Sequence, residues 1–169
     1  MYDEQYRQAY LHDLKREIPR IPFYPNFRQW AVWGKQLLDL HLNYEAALPA
    51  VVGRVDNQSK KPSSNDDVLI LKSDALRGTV VIDRTTRLEG IPSAVWDFKL
   101  GSRNAVDWIL DQSKKAMRSA MCAPKSPART ATEREDIILS IRRIISVSLA
   151  TRAIVDEMRA ADHAGTDDK

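Results

Sequence analysis

The chain holds 169 residues, enough for one domain with a real core, and its 43% hydrophobic and 29% charged residues are ordinary for a globular protein. A net charge of +3 is mildly basic, which permits a nucleic-acid partner without requiring one. The single cysteine, Cys122, excludes an intramolecular disulfide, the polar start argues against a signal peptide, and no apolar run reaches the roughly 18 residues of a membrane span, so the reading is cytoplasmic.

Residues 3–17 read as a helix, with Asp3 as N-cap and Tyr6, Ala9, Tyr10 and Leu14 at helical spacing. Pro19 ends it. The three prolines of residues 18–25 require an extended segment, pinned by Ile18, Ile21 and Phe23. A second helix over 26–43 carries Phe27, Trp30, Val32, Trp33, Leu37, Leu38, Leu40 and Leu42. It is apolar on more than one face and is expected to be the central buried helix, with both tryptophans in the core. Residues 47–55 look strand-like and 56–67 form a polar loop. Residues 68–72 and 79–83 are short strands around a turn at 74–78, and 84–89 either extends the second strand or pairs back as a hairpin.

Gly90, Ile91 and Pro92 then break the sheet and open a helical turn through Trp96, and a second turn covers 101–104. A helix over about 103–115 places Ala105, Trp108 and Ile109 on one face. Residues 116–132 read as a basic, flexible loop. Thr132, with Glu135 three residues on, has capping-box spacing for a last helix to about Ala160, and 161–169 reads as a disordered tail. The expected fold is α+β, helices at both ends packed on a small, mainly antiparallel sheet, as one domain over 1–160.

The chemistry of common enzyme classes is missing from the sequence. It has no GxxxxGK or GxGxxG loop, and no His or Cys pair at metal-ligand spacing. His12, His41 and His163 are scattered, and Cys122 has no histidine near it in sequence. There is no Asp/Asn-Pro-Pro-Tyr/Phe motif of an adenine methyltransferase. Asp83 and Glu89 are near each other but lack the strand lysine a nuclease would place beside them. No catalytic residue, cofactor or metal is therefore expected. Cations do cluster: Arg84 and Arg87 on the β segment, Lys99 and Arg103 with Asn104 around Gly101, and Lys114, Lys115, Arg118, Lys125 and Arg129 further on. Such groups neutralise phosphates, and Arg and Asn fork onto base edges.

Three segments carry a resemblance: residues 6–22, containing YLHDLKREIPRIP, with LLDLHLNYE at 37–45; VVIDRTTRLEGIPSAVWDFKLGSRNAVDWILDQ at 80–112; and ILSIRRIISVSLATRAIVDEM at 138–158. Together, and in this order, they resemble the carboxy-terminal specificity region of type ISP restriction-modification enzymes. Those are large bacterial polypeptides that join nuclease, helicase, adenine-methyltransferase and target-recognition parts. The middle segment is the most specific, because its Pro, Trp and Gly fall at spacings no generic helix produces. The resemblance implies a domain that reads double-stranded DNA and does no chemistry itself. With Met1 where that region would begin, it implies a free-standing specificity piece, an excised domain or a gene remnant.

Pro92, Trp96, Gly101 and Trp108 are expected to be scaffold, with both tryptophans in the core. Arg84, Thr86, Arg87, Lys99, Ser102, Arg103 and Asn104 are the expected DNA contacts. The alternative is a protein-interaction subunit whose helices 26–43 and 133–160 dock onto a separate methyltransferase-helicase polypeptide.

Overall fold

Valine and isoleucine between Thr79 and Asp83 favour extended backbone, and they supply the centre of a sheet. The computed structural model describes residues 4–17, 26–57, 69–97, 99–100, 103–119 and 127–164. The prolines of 18–25, most of the loop 56–67, Gly101, Ser102 and Cys122 lie outside them. Strands β1 (Gly53–Asp56), β2 (Lys72–Asp74), β3 (Thr79–Val81) and β4 (Thr86–Glu89) pair antiparallel in the order β1-β4-β3-β2. Directly opposed residues in such a sheet share a face. Arg54, Leu88, Val80 and Ser73 therefore form one row, turned to the core by the fully buried Leu88 and Val80. Val55, Arg87, Val81 and Lys72 form the next row, on the opposite face.

The strand expected at 68–72 begins only at Lys72. The amides of Ile70 and Leu71 both donate to the Ile82 carbonyl, at 2.7 and 3.2 Å, which is a β-bulge of two residues against one. Leu71 takes φ +51° to make it. That conformation costs about 1–3 kcal/mol in a non-glycine residue. Complete burial of the leucine side chain, worth about 1.5–3 kcal/mol, offsets it. Residues 84–89 pair back as a hairpin. At the turn below, Gly78 has φ +63° and its carbonyl accepts from the Ile91 amide at 3.0 Å.

Pro92 opens helix α3 (Ser93–Asp97), which buries Val95 and Trp96. Strands β5 (Lys99–Leu100) and β6 (Arg103–Asn104) form a small antiparallel pair, and helix α4 (Ala105–Ser119) follows at once. Helix α5 (Pro127–Ala164) starts well before Thr132, so Thr132 is not its cap. Proline at the first helical position is preset for a helix, and the alanines that read as loop are strong helix formers. Of the expected loop at 116–132, residues 116–119 and 127–132 are helical. The expected tail is helical to Ala164.

The chain divides into two compact units. The larger, Asn43–Leu149, has a core of Val80, Ile82 and Leu88 from the sheet, Val106 and Leu110 from α4, and Ile141 and Ile145 from α5. The smaller joins the described residues up to Leu42 with those from Ala150. In it, helix α1 (Glu4–Ala9) and a 3-10 turn (Asp13–Lys15) replace the single helix expected over 3–17. Tyr10 and Leu11 are exposed there, and a short helix without a packed apolar face is marginal. Helix α2 (Phe27–Leu42) buries Trp33 and Leu37, which cluster with Met158. The Trp33 indole Nε1 donates to Glu157 Oε2 at 3.1 Å, and Trp30 meets Trp33 edge to face. Helix α2 is not the central buried helix: Phe27, Val32, Leu38 and Leu42 are exposed.

Candidate nucleic-acid interface

The β3–β4 turn displays Arg84 and sets the register of Arg87, and one carboxylate builds it. Asp83 is only 3% exposed. Its Oδ1 accepts from the Thr85 amide (2.7 Å), the Thr85 hydroxyl (2.8 Å) and the Thr86 amide (2.6 Å). Arg134 Nη1, from α5, donates to Oδ2 at 3.2 Å. Burial alone would push the Asp83 carboxyl up, but these donors outweigh it and hold the group below the usual carboxylate range. Asp83 is thus fully used as a turn builder. Glu89, its expected acidic neighbour, pairs with Arg87 on the opposite face of the sheet.

On that outer face Arg87 is half-exposed and Lys72 is exposed, with half-buried Val81 between them. Lys72 also lines a cleft of about 320 Å³ between β2 and α4, together with Leu71, Ser73, Arg103, Asp107, Asp111 and Lys114. Arg87 and Lys72 thus share one strand row on the outer face of the sheet, and Lys72, Arg103 and Lys114 line the cleft at its β2 edge, all within the larger unit. Arg84 is exposed at the turn, and Lys99 is exposed on β5.

Two of the expected contacts are internal. Thr86 is buried, and its amide is taken by Asp83. Asn104, 6% exposed, is the N-cap of α4. Its Oδ1 accepts from the Asp107 amide at 2.8 Å, and its Nδ2 donates to Asp107 Oδ2 at 2.8 Å. The other Asp107 oxygen, Oδ1, accepts from Ser73 Oγ at 2.6 Å, which ties α4 to β2. Arg103 points outward and donates to Asp111 Oδ2, and Lys114 Nζ lies 3.8 Å from Asp111 Oδ1. Ser102 lies outside the described residues. Trp96 is buried as expected, whereas Trp108 is 44% exposed and is not core. Residues 106, 109 and 110 face the core, and position 108 falls off that stripe of the helix.

Lys72 and Asp111 are not among the residues singled out from the sequence. Lys72 is an isolated lysine in a poorly marked strand, and only strand register brings it into the row of Arg87. Asp111 could have been found, because it stands four residues after Asp107 and three before Lys114, on one side of a helix. Among the described residues no group of three or more His, Cys, Asp or Glu is placed to hold a metal ion, and no helix is long and apolar enough to cross a membrane.

Fold and surface define an α+β recognition domain, in which a sheet and its flanking helices hold a row of cations and paired carboxylates at the surface. Comparison with known proteins gives the class its family. The family model described as the type ISP C-terminal specificity domain matches residues 1–139, and the chain belongs to that family. Among solved structures it is similar to a chain of the DrdV–DNA complex studied by cryo-electron microscopy, with 34% identity and a TM-score of 0.75 over 93% of this chain. It shares its fold with the type ISP restriction-modification enzymes LlaGI, a nuclease-deletion mutant in complex with a DNA substrate mimic, and LlaBIII bound to DNA. Those two are each 24% identical over 92% of this chain, with TM-scores of 0.67 and 0.68. The chain spans 17%, 12% and 10% of those three solved chains. No curated protein sequence matches it.

Proposed function

We propose that this chain is a DNA sequence-specificity domain of a restriction-modification system, acting in the cytoplasm on double-stranded DNA and doing no catalysis itself. Residues 1–160 are the specificity module. The observation that carries this reading is the set of cations lining the β2–α4 cleft, Lys72, Arg103 and Lys114, with Arg87 in the strand row of Lys72, on a chain of the specificity-domain family. Arg87, Lys72 and Lys114 are suited to neutralise phosphates, and each neutralised phosphate releases counterions. Arg84 and Lys99 extend the cationic surface. Thr86 and Asn104 support it from inside, by fixing the β3–β4 turn and the start of α4.

The test is duplex binding by the full chain across a salt series. Affinity is expected to fall steeply with salt, and Lys72→Ala or Arg87→Ala should each flatten the logarithmic salt slope by about one. Absence of salt-sensitive binding to any duplex pool at low ionic strength would refute the reading.

One observation favours a second reading, docking onto a methyltransferase-helicase polypeptide. Phe27, Leu38 and Leu42 fall on one stripe of α2 and are 72%, 57% and 71% exposed. Co-purification with such a polypeptide, lost on Phe27→Asp with Leu38→Asp, would support docking.

A further inference from the structure

We propose that Arg103 and Asp111 together read a single G·C base pair, an inference that rests on the DNA-specificity reading above. The polar groups at the cleft between β2 and α4 fall into two kinds. Asp107 and Asn104 are fixed: both Asp107 oxygens and both ends of the Asn104 amide hold the start of α4 and its tie to Ser73. A base edge could engage them only by undoing the helix cap. Asp111 and Arg103 are exchangeable. Arg103 is 59% exposed, and Asp111 is held by Arg103 and Lys114 alone among the contacts described for it. Exposed pairs of this kind contribute little to stability, so a partner with a better-placed edge can replace them.

The chemistry of the pair selects that partner. Along the major groove a G·C pair presents two acceptors, guanine N7 and O6, and then one donor, the cytosine N4 amino group. A guanidinium fork donates to the two acceptors while an adjacent carboxylate accepts from the amino group. Arg103 and Asp111 already stand side by side as such a donor fork and acceptor. When each exchanges its partner for a base edge, neither charge is left unpaired. An A·T pair presents acceptor, donor, acceptor and then a methyl group, which sets a donor against one arm of the fork and the thymine O4 acceptor against the carboxylate. Lys72 and Lys114 flank the two readers in the same cleft and supply phosphate contacts that fix the register.

The test is selection of binding sites from a randomised duplex pool by the full chain. The wild-type consensus is expected to contain a G·C position at which Arg103→Ala and Asp111→Ala both relax the preference, leaving the other positions intact. Discrimination at that position should fall by about 5- to 150-fold, the worth of a good bidentate base contact. Lys114→Ala should weaken binding to all sequences and keep the consensus. Circular dichroism checks that each variant keeps its helices. The inference is overturned if the two variants relax different positions, relax none, or relax an A·T position. Salt-sensitive binding without any consensus overturns this inference alone. Absence of binding overturns it together with the reading beneath it.

Discussion

Removing the Asp83 carboxylate tests how the readout surface is held. In Asp83→Ala the turn loses an acceptor that serves three donors on Oδ1 and a guanidinium on Oδ2. The Thr86 amide sits in a buried residue, and leaving such a donor unpaired costs about 1–3 kcal/mol. The Thr85 groups and Arg134 reach partial solvent and add less, so the total is expected at about 2–4 kcal/mol. Asp83→Asn keeps an acceptor for both amides and loses the charge toward Arg134, so its cost should be about half as large. The wild-type advantage over Asp83→Asn must also depend on pH. The folded carboxyl titrates below its unfolded value, so its contribution is complete above about pH 4 and is lost as pH falls through the folded value. Urea unfolding followed by circular dichroism at pH 7, repeated down to about pH 3, measures both effects. An alanine variant within about 0.5 kcal/mol of wild type, or a pH-independent gap between wild type and Asp83→Asn, would refute the reasoning.

Three further outcomes follow from the same structure and are measured by the same unfolding assay. Asn104→Ala removes the cap of α4 and should cost about 1–2 kcal/mol, whereas an effect below 0.5 kcal/mol would mean that the reciprocal bonds with Asp107 do not hold the helix start. Trp96→Ala should cost about 3–5 kcal/mol and Trp108→Ala far less, because only the first is buried; equal losses would contradict their placement. Gly78→Ala should be more costly than Gly90→Ala. Both have positive φ, but a Cβ at Gly78 would lie 2.6 Å from the Ile91 carbonyl oxygen, while at Gly90 it meets open space.

The α+β class, the break at Pro92 and the family were legible in the sequence, whereas the hairpin around Asp83 was one of two readings until strand pairing settled it. The first three rest on local steric rules, on β-branched runs and on Pro and Gly spacings that survive without knowledge of distant partners. Helix α2 shows where local reading stops: its apolar residues recur on several faces, and only packing decided that Trp33 and Leu37 go inside while Phe27 and Leu42 stay out. Trp108 is the same lesson at one residue, since hydrophobicity named it core and its place around α4 set it at the surface. The candidate site divides in the same way. Arg87 and Arg103 were legible as exposed cations. Packing makes Thr86 and Asn104 internal supports and brings Lys72 and Asp111 to one cleft with Arg103. Strand register and helix packing join residues dozens of positions apart, and nothing in the local sequence encodes which neighbours those are.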